Sequence, residues 1–96
     1  MELRSRIIQL RDVIHAAATA HEARDELVFG SVARGEDADA SDVDFLVTLE
    51  PGRTLLDLAR LELRLEALLG RPVDVVTEET LREPVRSAAR RDAIRV

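Results

Sequence analysis

"FGSVARGEDADASDVDFLV", Phe29 to Val47, is the stretch of this 96-residue chain from which both fold and chemistry can be read. In its second half Val43, Phe45 and Val47 alternate with Asp42, Asp44, Leu46 and Thr48. A period of two predicts a strand over "DVDFLVTLE", residues 42–50. Residues two apart in a strand share a face, so Asp42 and Asp44 point the same way, about 6–7 Å apart at the backbone. In the first half, "SVARG" predicts one helical turn that Gly35 ends. "EDADAS", residues 36–41, is too small and acidic to pack and reads as a loop.

Working outward, residues 2–20 predict a helix, with Leu3, Ile7, Leu10, Ile14 and Ala17 or Ala18 at helical spacing. "ELVFG", residues 26–30, predicts a short buried strand that stops at Gly30. "PGR" is a turn. Residues 54–69 predict a helix with two apolar stripes. Leu58, Leu61, Leu65 and Leu68 form one; Leu56, Ala59, Leu63 and Ala67 form the other. The second stripe faces either a partner or a covering loop. Gly70 and Pro72 close this helix, and "PVDVVT", residues 72–77, predicts a third strand. Pro84 opens a last helix running to about Asp92, and "AIRV" suggests a short terminal strand. The expected fold is α/β (α+β): a small mixed β-sheet flanked by helices, forming one domain over residues 1–96.

Two common motifs fail. Gly30 and Gly35 have the spacing of a phosphate-binding P-loop, but Glu36 and Asp37 stand where Lys and Ser or Thr are needed. "DADASD" resembles the start of a calcium-binding EF-hand loop, but Asp42 and Thr48 occupy the positions of its Gly and Glu. His15 and His21, six apart on one helix, are not a metal pair and read as surface residues. What remains is Gly30-Ser31, ten residues, then Asp42-Val43-Asp44, with a third carboxylate, Asp74, inside an otherwise apolar strand. Were that strand to lie beside residues 42–50, three Asp would converge. Unpaired carboxylates raise one another's pKa and destabilise the fold unless a cation joins them. Hard oxygen ligands suit magnesium, and a pair of such ions can serve phosphoryl transfer. Gly30 lets a phosphate approach the backbone, while the Ser31 hydroxyl and nearby N–H groups can bind its oxygens. Arg34 can add a charge-assisted contact.

Composition narrows the classes further. All fourteen basic residues are Arg, a pattern that GC-rich coding explains, so lysine chemistry is excluded. The net charge of −5 argues against general binding to a nucleic-acid backbone, and direct DNA binding is not expected. The two Phe, the chain's aromatics, offer no stacking platform. The absence of Cys excludes disulfides and thiolate sites and fits a cytoplasmic location; no apolar run suggests a membrane span. Nine acids and two Arg lie between Glu22 and Glu50, and five Arg and two acids between Arg82 and Val96. The basic tail reads as a solvated helix face or, less simply, a contact surface.

The stretch resembles the G-S-x10-D-x-D signature of the DNA polymerase β-like nucleotidyltransferase superfamily. Its "GSVARG" opening, its "SDVD" and the small size resemble the minimal nucleotidyltransferases, the MNT family, with its MntA-like antitoxins. The likeness runs from about Leu27 to Val76. It implies magnesium-dependent transfer of AMP from ATP to an acceptor hydroxyl. By that analogy Asp42 and Asp44 bind both metal ions, Asp74 binds the catalytic one and helps deprotonate the acceptor, and Gly30, Ser31 and Arg34 hold the triphosphate. It also implies a HEPN-domain toxin as partner, adenylylated on a tyrosine, with the second stripe of helix 54–69 and the Arg-rich tail as contact candidates. Oligomerisation is compatible with the sequence. Two alternatives stand beside this: a binding module that neutralises a partner by occlusion, and a transferase acting on RNA or a small molecule. The second needs room for an acceptor-holding domain, which favours an acceptor bringing its own surface.

Overall fold

A computed structural model describes residues 3–36 and 42–96. Most of the acidic loop expected at residues 36–41 therefore lies outside the described residues. The order is α1 (Leu3–Gln9), α2 (Arg11–Ala20), β1 (Ala23–Phe29), α3 (Gly30–Arg34), β2 (Val43–Leu49), α4 (Leu55–Leu69), β3 (Val73–Val76), α5 (Val85–Asp92) and β4 (Ile94–Arg95). A short 3₁₀ turn, Glu78–Thr80, follows β3. Among the described residues the sheet has four strands in the order β3-β2-β1-β4. β1 runs antiparallel to β2 and to β4, and β3, reached through α4, lies parallel to β2. The sheet is thus mixed and carries helices, as expected.

Three boundaries differ from the sequence reading. The single helix expected over residues 2–20 is two segments meeting at Leu10, although Leu10 N–H still donates to Arg6 O at 3.0 Å. β1 begins three residues earlier than expected, because Ala23 and Arg24 pair with Leu49 and Thr48. Its register then shifts between Arg24 and Leu27, where Asp25 adopts a positive φ of 55°. Pro84 caps α5 rather than opening it, and the helix starts at Val85.

The core is aliphatic around one ring. Phe45, Ile7, Ile14, Leu61, Leu65, Leu69, Val28, Val32 and Val43 are its largest fully buried side chains. Val43, Phe45 and Val47 are all buried, as their alternation in β2 requires. In α4 Leu58, Leu61 and Leu65 of the first expected stripe enter this core, joined by Leu69, while Leu68 is only partly buried against it. The second is open: Leu56 is 58% and Leu63 67% exposed, so no loop among the described residues covers it. Thr54 N–H donates to Asp57 Oδ2 at 2.8 Å and anchors the first turn of α4.

α4 does a second job at the sheet edge. β3 is an outer strand, so its outward N–H groups need partners. Glu66 Oε2 accepts from Val73 N–H at 3.0 Å and Glu62 Oε1 from Val75 N–H at 3.3 Å. The two amides flanking Asp74 are thereby pinned to α4. Among the described residues, no helix is long and apolar enough to cross a membrane.

Candidate functional site

β1 ends at Phe29, and the chain turns into α3 at Gly30 with φ +75°. That left-handed angle suits glycine. A second constraint is steric: a Cβ at Gly30 would stand 2.4 Å from Asp44 Oδ2. Phe29 and Asp44 are register partners across β1 and β2, which sets the carboxylate against the Gly30-Ser31 turn. Gly35, with φ 72°, then ends α3, its N–H donating to Val32 O at 3.1 Å.

The parallel pairing of β2 with β3 places Asp44 directly beside Asp74. Asp42 immediately precedes β2 and is exposed, as is Asp74; Asp44 is half-buried. The Asp44 pKa is raised from 3.8 to about 6, chiefly by burial and then by the neighbouring charges of Asp74 and Asp42. Arg34 partly opposes them. The three carboxylates expected to converge are therefore brought into one electrostatic neighbourhood, together with Gly30 and Ser31.

Two expected details look different. Arg34 is held by carboxylates: its Nε donates to Glu36 Oε2 at 3.1 Å and its Nη1 to Asp92 Oδ2 at 3.0 Å. Those hydrogen bonds raise its pKa. And among the described residues, no three His, Asp or Glu side chains already stand round a common point able to hold a metal ion. The donor set nevertheless fits a hard cation. It is carboxylate oxygen throughout, its charges repel one another at Asp44, and Gly30 leaves space on the side where Asp44 Oδ2 lies.

The family model of the nucleotidyltransferase domain matches residues 22–96. The chain belongs to the nucleotidyltransferase family. Within it, the relatives are the MntA-like protein adenylyltransferases. The protein adenylyltransferase MntA of Thermococcus cleftensis is 44% identical over 69 residues, covering 72% of this chain and 70% of its own. A Methanocaldococcus jannaschii protein, provisionally named a protein adenylyltransferase, is 41% identical over 69 residues, 72% of this chain and 74% of its own. A solved structure provisionally assigned as a minimal nucleotidyltransferase superposes with a TM-score of 0.85 at 46% identity, covering 100% of this chain and 97% of that one. A toxin–antitoxin structure containing AMP-PNP shares the fold, with a TM-score of 0.68 at 22% identity, over 96% of this chain and 70% of that one. The nucleotidyltransferase fold expected from "GSVARGEDADASDVD" is thus the fold observed.

Sequence reasoning missed three sets of contacts. Glu62 and Glu66 were not singled out in the sequence; their role shows only once β3 is known to be an edge. Asp92 marked a helix end, with nothing in the sequence linking it to Arg34. The His15 side chain is 44% exposed, as a surface residue should be, yet it also bonds through Nδ1 to the buried Glu26 at 2.8 Å. A carboxylate in the apolar "ELVF" was the available signal, of the same kind that drew attention to Asp74.

Proposed function

We propose that this nucleotidyltransferase moves AMP from ATP, with magnesium, to a hydroxyl on a protein partner, specifically a tyrosine of a HEPN-type toxin that it thereby silences as an antitoxin. The observation that carries the reading is the Asp44–Asp74 register beside Gly30, in a chain whose relatives bear the name protein adenylyltransferase. Residues 1–96 act as one minimal transferase domain in the cytoplasm. Asp42, Asp44 and Asp74 would hold magnesium, which neutralises phosphate charge and polarises the reacting phosphoryl group.

The chain's own groups do the rest. Gly30 and Ser31 receive the triphosphate, and Arg34 meets its charge with donors left free by Glu36 and Asp92. Asp74 is exposed on the outer strand, where a hydroxyl carried by a large partner can reach it. It accepts the proton as the acceptor oxygen bonds to the α-phosphorus and the bond to pyrophosphate breaks. The open Leu56–Leu63 face of α4 and the Arg side chains of α5 offer the partner a contact surface.

The test is ATP labelled at its α-phosphate, incubated with magnesium in lysate of the source organism. Wild type is compared with Asp42→Asn/Asp44→Asn. A protein band labelled by wild type alone supports the proposal, and mass spectrometry of that band then names the acceptor residue. Label in RNA would replace the protein acceptor by a nucleic acid. No label in either fraction, with a partner still co-purifying, would leave a binding module.

A further inference from the structure

Arg34 is the one cation read as reaching phosphate, and a residue distant in sequence helps decide where it points. Its Nη1 is held by Asp92, the last residue of α5, at 3.0 Å. Asp92 is well fixed for this. Its side chain is 14% exposed, against 42% for Arg34. Ala93 follows it, and then β4 pairs with β1, Ile94 opposite Val28. β1 itself leads into Gly30. Asp92 and the Gly30-Ser31 turn are therefore tied to the same strand. A carboxylate at a helix C-terminus is unfavourable to that helix, because the carbonyl ends carry negative partial charge. Arg91 Nε, at 3.4 Å, relieves this on Oδ1; on Oδ2 the partner is Arg34. The second holder, Glu36, is 65% exposed and gives Nε a looser anchor.

We infer that Asp92 is a positioning residue for nucleotide binding: it fixes the Arg34 guanidinium beside Asp44 and the Gly30-Ser31 turn so that its remaining donors face the triphosphate. A guanidinium has five N–H donors, and these two contacts leave enough for phosphate. Fixing it before the nucleotide arrives reduces the ordering that binding must impose on a flexible side chain. The inference rests on the phosphate-binding reading of Arg34, and the test separates the two.

The probe is the β,γ-imido analogue of ATP with magnesium, and the readout is its Kd by calorimetry, which needs no acceptor. Asp92→Asn is close in shape but lacks the charge. It should weaken binding about tenfold, the effect of one charge-assisted hydrogen bond at a half-open site. Asp92→Glu should recover most of that loss. In an Arg34→Gln background, Asp92→Asn should add nothing. Weakening that persists in that background, or loss of cooperative melting, would mean that Asp92 only docks α5 and would overturn the inference. Tighter binding by Asp92→Asn would overturn it too, making Asp92 a competitor of phosphate. If Arg34→Gln weakens binding and Asp92→Asn does not, Asp92 is excluded while the reading of Arg34 stands. If Arg34→Gln changes nothing, both fall.

Discussion

Glu26 and Asp44 are carboxylates on neighbouring strands of one small sheet, and their surroundings treat them in opposite ways. Glu26 is 6% exposed, and its Oε1 has a partner in His15 Nδ1 at 2.8 Å. The other nitrogen of His15 lies 3.2 Å from Val96 O, so α2, β1 and the segment after β4 meet in one network. Asp44 has Asp74 as its register partner and Asp42 close by, and its pKa is pushed up to about 6. The first carboxylate has its hydrogen-bond partner within the chain; the second has other carboxylates as its neighbours. A carboxylate serving structure is satisfied within the chain, whereas one serving a bound cation is left for that cation to satisfy.

The largest expected consequence concerns the unsatisfied site. Asp44→Asn should lower α-phosphate transfer about a thousandfold or more, since a metal clamp supplies several kcal/mol at the transition state. Without metal, the same variant should melt at the same temperature as wild type or higher, because one repelling charge is gone. A marked fall in melting temperature would break the comparison and make Asp44 a structural residue.

Gly30→Ala sharpens it from the other side. The added Cβ meets Asp44 Oδ2 and sits at a positive φ. Displacing Asp44 should cost about a hundredfold in transfer rate. The backbone strain should cost about 1 kcal/mol in urea unfolding.

At the satisfied carboxylate the effects should be reversed. Glu26→Ala should destabilise the chain by about 1–2 kcal/mol, by removing a buried hydrogen-bond partner. In the folded variant, binding of magnesium and the ATP analogue should be unchanged. Altered nucleotide binding with unaltered stability would erase the distinction between the two sites.

The smallest effect is a pH dependence of stability in the absence of metal. The folded Asp44 pKa, about 6, lies above the ordinary 3.8, so the folded state holds the proton more tightly than the unfolded chain does. The stability this contributes is complete below about 3.8 and is lost as pH rises through about 6. Melting temperature should carry this falling component between those values in wild type, and Asp44→Asn should lack it. Magnesium, by favouring the ionised form, should flatten it.

These contrasts also mark what a sequence can reveal. Alternation in "DVDFLV" placed Asp44 against the grain of a strand, and a charge inside "PVDVV" did the same for Asp74. Such local signals, with the Gly30-Ser31 spacing, were enough to mark the strands and single out the three Asp, whereas the adjacency of β3 to β2 is seen only in the sheet. The apolar stripe of Leu58, Leu61 and Leu65 likewise announced the buried face of α4. Contacts between distant segments were not legible. His15 meets Glu26 because α2 packs on β1, and Asp92 meets Arg34 because α5 ends beside α3. Neither pairing leaves a periodic trace. The break at Leu10 was hidden too, since the apolar spacing of Leu3, Ile7, Leu10 and Ile14 continues through it.

The central claim is that Asp44 is left uncompensated for a cation to complete. It is tested most directly by following the Asp44 side-chain carboxyl by carbon-detected NMR across pH, with and without magnesium. The account predicts a midpoint near 6 in the metal-free chain, moving down once magnesium is added. A midpoint that magnesium leaves in place, in a chain that still transfers AMP, would contradict it.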